Sequence, residues 1–427
     1  MAVRLSPSDN LAADVGDSIN WRIIALVLAA TTYNAILGYV NANIAALGRP
    51  DVMIAELIIQ SCCIVFLIRS GIRPSDFVII LFMIFMFLCT LAMSFLNEEI
   101  ILEAPRNALI MAVFVMVGSR ANEITLRRCF TLLILLVFAV MVLELAAVGS
   151  YVALFEPSKY FFATRGIEEY EFSDSGLFRN ALGFEGRFNF GLFNAPRTSS
   201  IFLEQTSLSN FASVIAVFLL ALWPRIGWWE RLLAVSFVTV ALLSNSTRMS
   251  SILAVLTVGG YWIYPRLPRY SNLALPVLLL GLAAFIVPIL PPSQGDDFSG
   301  RLSLTLNLLL KTDILAFFGG RALEADSFPD SGYPYLIYSS TVFGAIAIYL
   351  FVALIVPQQL DMQRRAAFGI SMLVFVSLLV AGNAIFSIKI AAAMWFLAGY
   401  MRSISPGADD TQRIWRSVPR WELAAIN

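Results

Sequence analysis

Apolar runs of roughly membrane-spanning length recur along the whole chain, separated by short polar connections. Twelve of them lie near 23–41, 52–68, 77–96, 104–119, 129–149, 199–223, 232–246, 249–264, 272–290, 335–357, 367–385 and 387–401. Most approach the ~20 residues that carry a helix across a bilayer. In hydrocarbon the backbone N–H and C=O groups must be paired internally, so helices are the choice for runs this long. The pattern predicts an all-α, polytopic membrane protein of about 12 transmembrane helices, one domain over 1–427. The fourth run is the weakest, because Glu103 and Arg106 open it. The seventh and eighth are short, and Asn245, Ser246, Thr247 and Arg248 join them.

Composition narrows the class. Of 427 residues, 59% are hydrophobic and 14% charged, a balance foreign to ordinary soluble proteins. Net charge is zero, so nucleic acid is not an expected partner. The first twenty residues are polar, with Asp9, Asp14 and Asp17, and lack the basic-then-apolar order of a cleaved signal. The first run is therefore expected to act as an uncleaved anchor. The absence of histidine excludes an imidazole base, a histidine-bound metal and a Ser-His-Asp triad. Cys62, Cys63, Cys89 and Cys129 lie in apolar runs without metal-ligand spacing. The adjacent Asp296 and Asp297 are a weak metal signal, and neither metal nor cofactor is expected.

Basic residues set the orientation. Arg22, Arg69, Arg73, Arg120, Arg127, Arg225, Arg231, Arg266, Arg364, Arg365 and Arg402 fall on one side. Short loops of the other side carry only Arg49, Arg106, Arg248 and Lys389. The positive-inside rule then places both termini and the 403–427 tail in the cytoplasm. Two long loops, 151–198 and 291–334, face outward, which in a bacterium is the periplasm. The first is dense in aromatics, among them Tyr151, Tyr160, Phe161 and Phe178, and suits a folded cap or an interfacial layer. Its charges, including Glu168, Glu169, Arg165 and Arg179, suit a solvated surface.

The segment 194–204 carries ionisable groups into the start of an apolar run, where they cost several kcal/mol unless paired or hydrated. Asn194 is placed to cap a helix and Pro196 to sit in its first turn. Arg197 and Glu204, seven apart, would then share one helical face. A helix start beside an arginine suits a diphosphate; a structural Arg–Glu pair is the competing reading. Arg248 and Arg301 also sit at outward helix ends, against the positive-inside trend. Arginine matches phosphate oxygens through bidentate hydrogen bonds.

At these residues the chain resembles the Wzy-type bacterial polysaccharide polymerases of the O-antigen polymerase and ligase superfamily. The resembling stretches are Arg197 to Glu204, Ser246 to Ser251, Ser299 to Leu302, and Asp330 to Tyr333 ahead of Gly344. The resemblance implies a metal-independent glycosyltransferase in the bacterial inner membrane. An oligosaccharide on undecaprenyl diphosphate would pass to another lipid-linked repeat unit at the periplasmic face. A chain-length regulator of the export system is a partner expected by the same analogy. The ligase branch has a histidine in the large loop; its absence here argues against ligation to lipid A core.

On this reading Arg197 and Arg301 stabilise the diphosphate, with Arg248 as a third clamp and Arg321 and Tyr333 as further substrate contacts. Asp330 is the preferred base, and Glu204 its rival. Glu204 pairing with Arg197 or Arg248, and Asp330 capping the helix after it, are the structural alternatives. Glu56 and Glu144 are read as structural, pairing with Arg106 or lining a polar interior. Asn383, Ser387 and Lys389 would glue helices or line the acceptor path. A lipid-linked oligosaccharide flippase or other secondary transporter is the alternative function.

The orientation makes a direct prediction. Alkaline phosphatase, active only outside the cytoplasm, should be active when fused after position 165 or 312. It should be inactive when fused after 120, 225 or 402. The reverse pattern in colonies scored for phosphatase would overturn the assignment.

Overall fold

The computed structural model describes residues 18–167, 175–178, 181, 196–245, 248–290, 298–328, 331–380 and 382–405, with backbone alone at 248–250 and 326. Among these residues the regular structure is helical, without strands. The first half holds α1 (Trp21–Asn43), α2 (Arg49–Ser70), α3 (Phe77–Asn97), α4 (Glu103–Gly118) and α5 (Glu123–Ala146). Two short helices follow, α6 (Val148–Phe155) and α7 (Pro157–Arg165). Next come α8 (Gln205–Leu222), α9 (Trp228–Asn245), α10 (Arg248–Ile263) and α11 (Leu275–Ile286). The second long connection contains α12 (Phe298–Lys311) and α13 (Ile314–Phe317), before α14 (Gly332–Leu354), α15 (Asp361–Val380) and α16 (Ile388–Ser403).

Each apolar run thus carries a helix. Among the described residues seven helices, α1, α2, α3, α5, α8, α14 and α15, are long and apolar enough to cross a membrane. The helices on the other five runs are shorter or less apolar. The 12 residues of α11 rise about 18 Å, against about 30 Å of hydrocarbon.

Local chemistry starts several helices. Asn20 and Asn122 accept hydrogen bonds from the N–H of Ile23 and Thr125, groups that have no partner inside the first turn. Asp76 accepts from the N–H of Arg73 across the Pro74–Asp76 turn that leads into α3.

The core is built on α4 and α16. Every residue of α16 from Ile388 to Met401 is buried. A Cβ at Gly399 would run into the Val115 carbonyl, and one at Gly118 into the Phe396 carbonyl, so two backbones meet where only glycine fits. Close approach through small residues is how helices gain packing when lipid competes for apolar surface. Around this pair, α8 and α15 are also largely buried. At the periphery, Leu57 and Ile58 of α2 and Leu81 and Phe95 of α3 are exposed. Apolar side chains turned outward on this scale invert the order of a soluble protein and suit a lipid-facing surface.

The basic connections meet at one end of the bundle. There Arg120 pairs with Asp76, Arg225 with Glu123, and Arg127 with Glu230. Arg402 donates to the carbonyls of Ile355 and Ser75, and Arg364 to that of Pro265. The short connections of the far end carry fewer arginines, among them Arg49 and Arg106.

Two helices differ from expectation. The run 129–149 is not one helix: Ala147 leaves helical geometry (φ −148°, ψ 68°) and the chain turns into α6. Within α14, Thr341 is non-helical (φ 67°, ψ 167°), which breaks that helix near its middle.

Gly399→Ala should cost about 1–3 kcal/mol through overpacking, read as a lower thermal midpoint in detergent. Gly149→Ala, where a Cβ meets nothing within 4 Å, should not. Equal midpoints for the two variants would refute the contact.

Candidate functional site

The segment 196–204, expected to open a helix, is not α-helical and holds only one 3-10 turn, Ser200–Phe202. The helix α8 begins only at Gln205, with Glu204 as its extended N-cap residue. Ser200 (φ 51°) and Leu203 (φ 59°) occupy the left-handed region, which non-glycine residues enter at a cost. Arg197 and Glu204 therefore share no helical face, and Pro196 is in no first turn. Asn194 lies outside the described residues.

Side chains replace the missing helical ladder. The Glu144 carboxylate accepts from the Ser199 N–H (2.9 Å), the Ser200 N–H (2.6 Å) and the Ser199 hydroxyl (2.9 Å). Tyr151 donates to the Ser200 carbonyl at 2.8 Å, and Asn34 to the Phe202 carbonyl at 2.9 Å. Asn245 donates to the carbonyls of Thr198 (2.8 Å) and Gln205 (2.9 Å). Polar groups from α1, α5, α6 and α9 thus hold one irregular strap. Glu144 is structural, as expected, but it serves the backbone and not an arginine.

The strap delivers Glu204 to a charge cluster. Its Oε2 accepts from Lys389 Nζ and from the Ser207 hydroxyl, both at 2.9 Å. Its Oε1 lies 3.6 Å from Arg165 Nη1. The Lys389 side chain is 1% exposed, that of Arg165 43%. Phe161 lies beneath Arg165, 4.7 Å from ring centre to guanidinium carbon. Tyr160 donates to Asn34 Oδ1 at 2.8 Å, tying α7 to α1. Tyr160 and Phe161 also pack with Tyr151, Leu177 and Phe178, so this part of the first loop is a folded cap.

A second group stands beside the first. Glu56 accepts from Tyr33 (2.7 Å) and from Arg106 Nε (3.0 Å) and Nη2 (2.5 Å). The expected Glu56–Arg106 pair is present, with the Arg106 side chain 46% exposed. Tyr33 and Asn34, adjacent on α1, each reach one of the two groups. Glu56 is near enough to act electrostatically on Lys389. Among the described residues, the ion pairs of these two groups join Lys389, Arg165 and Arg106 to Glu204 and Glu56.

The predicted arginines are spread over separate elements of this end. Arg197 donates its N–H to the Ala181 carbonyl, and its neighbour Thr198 is tied to Ser244 and Asn245 of α9. That places the Arg197 backbone beside the turn leading to Arg248. Arg301 donates to the Val380 carbonyl at 2.9 Å and docks α12 on the end of α15. The Tyr333 hydroxyl is buried there without a hydrogen-bond partner. Arg321 is exposed and pairs with Asp313 (2.7 Å) and Glu324 (3.3 Å). Those two charges, Asp313 first, hold its guanidinium above the ordinary pKa and occupy the face a phosphate would use. The Arg248 side chain, and the residues Asp330, Asp296 and Asp297, lie outside the described residues.

Arg165 is the cluster's unexpected member; Lys389 is expected to join helices, though without Glu204 as its partner. Lys389 had a signal in the sequence: a lysine inside an apolar run requires an acid partner. Arg165 had none, because its loop reads as solvated surface.

Glu144→Ala would strand two backbone N–H groups and should cost about 3 kcal/mol. It should also open the strap to protease in detergent-purified protein. Unchanged thermal midpoint and cleavage would show that the strap holds without Glu144.

No family model matches the chain, and no curated protein or solved structure matches it either.

Proposed function

We propose that this chain is a polysaccharide polymerase of the bacterial inner membrane. It crosses the bilayer about twelve times with both termini cytoplasmic, and it acts at the periplasmic face. It transfers an oligosaccharide from undecaprenyl diphosphate to the non-reducing end of a second lipid-linked unit. The bond from the anomeric carbon to the diphosphate oxygen breaks and the diphosphate keeps the electron pair. An acceptor hydroxyl oxygen forms the new glycosidic bond and yields its proton to a base. No metal takes part.

The observation that carries this reading is the Glu204–Lys389 pair, with Arg165 and Arg106 beside it, at the end opposite Arg120, Arg225 and Arg402. Negative charge grows on the diphosphate as it departs, and fixed cations aimed at it lower the barrier most. Arg165 and Arg106 are partly exposed, while Lys389 is buried against Glu204. Arg197, Arg301 and Arg248 are assigned to the other sugar-phosphate. Glu204 already serves Lys389, Ser207 and Arg165, which favours Asp330 as base and Glu204 as the anchor of Lys389.

A flippase or other secondary transporter is the second reading. The break at Thr341 and the irregular strap favour it, because transporters place discontinuous helices at their binding sites.

A deletion strain complemented with wild type, Arg165→Ala, Arg197→Ala, Arg301→Ala, Asp330→Ala or Lys389→Met separates the two. A polymerase predicts lost polymer and single lipid-linked units outside the inner membrane, with point variants about 100-fold or more reduced at equal protein level. Units trapped on the cytoplasmic side would establish the flippase instead. Full polymer from every point variant would remove the site assignment.

A further inference from the structure

At the arginine-rich end, opposite the cluster above, α8, α9 and α10 enclose a groove that the proposed reaction does not use. Its volume is about 420 Å³, within the roughly 300–1,000 Å³ of ligand sites. The floor is apolar, formed by Leu219, Val235, Val238, Leu242 and Val258. Val235 and Val258 are exposed, so the groove opens sideways from the bundle, towards the surface that the hydropathy assigns to lipid. Thr257, also in the lining, spends its hydroxyl on the Leu253 carbonyl at 2.7 Å.

One end of the groove is different in kind. Trp223, Tyr261 and Trp262 line it. The Arg231 guanidinium lies over Trp223, 5.1 Å from the ring centre. The Arg365 guanidinium lies over Tyr261 at 4.0 Å and donates its Nε–H to the Tyr261 carbonyl at 3.1 Å. Arg231 Nε is buried without a hydrogen-bond partner. Among the described residues neither guanidinium is neutralised by a carboxylate. An apolar slot therefore ends in an aromatic belt and two uncompensated cations. Aromatic rings of this kind settle at headgroup level, and guanidinium planes match phosphate oxygens. Basic pockets between helices at the cytoplasmic surface are suited to anionic headgroups.

We infer that this groove binds one anionic phospholipid of the adjoining leaflet. An acyl chain lies along the floor and the phosphate sits between Arg231 and Arg365. A second copy of the chain is a poorer occupant. A two-fold contact would place each arginine pair against its own image, with no carboxylate to offset it. The lipid-linked substrate is poorer still, since its proposed site lies at the far end.

The full-length protein, purified in mild detergent, is titrated with phosphatidylglycerol or phosphatidylcholine of equal chain length and bound lipid is counted by native mass spectrometry. The first phosphatidylglycerol should bind about tenfold or more tightly than phosphatidylcholine, as two arginines near a headgroup imply. That binding should be lost in Arg231→Gln/Arg365→Gln and in Val258→Trp, which fills the floor without touching charge. Equal affinity of the two lipids for unaltered protein overturns the proposal, whatever the variants do. So does undiminished binding to a folded variant, or a dimer that dissociates on Val258→Trp.

Discussion

A stretch of backbone that leaves α-helical geometry among packed helices must find its hydrogen bonds outside the helical ladder, largely from neighbouring side chains. Water is not there to supply them. In this protein that constraint falls on the strap 196–204. Glu144 accepts from the Ser199 and Ser200 N–H groups, while Tyr151, Asn34 and Asn245 donate to its carbonyls. These side chains come from four helices, so satisfying the strap also fixes those helices relative to one another. The left-handed Ser200 and Leu203 persist because the surroundings over-determine them.

The strap and the α4–α16 contact meet at one point. Glycine at 118 and 399 lets α16 sink into the middle of the bundle, which buries Lys389 near its start. A buried ammonium without a partner is costly, and the strap brings Glu204 to it. The pair is therefore a product of two independent packing features. Arg165 and Arg106, each partly exposed, pair with Glu204 and Glu56 at the same end. The opposite end uses arginine differently. There Arg120, Arg225, Arg364 and Arg402 join connections by ion pairs and carbonyl contacts, while Arg231 and Arg365 stack on aromatic rings beside an apolar groove.

Much of this was legible in the chain. Runs of apolar residues near the length of a bilayer specify helices, because backbone pairing is local and needs no knowledge of neighbours. The grouping of arginines in alternate loops identified the connections that share one end. Glu56 and Arg106 could be paired from sequence because each is a charge stranded in an apolar run with few partners of opposite sign.

What tertiary structure decided is the site itself. Sequence spacing put Arg197 and Glu204 on one helix, since apolar residues surround them and nothing local forbids a helix. The helix is displaced by Glu144, 55 residues earlier, whose carboxylate outcompetes the ladder for the N–H of Ser199 and Ser200. Likewise Glu204 meets Lys389 across 185 residues, and no periodicity reports that distance. Local hydrogen bonding and transfer into lipid are set residue by residue, so the sequence determined the helices and which connections share an end. The partner of each buried charge depends on which helices touch, and only the packed fold decides that.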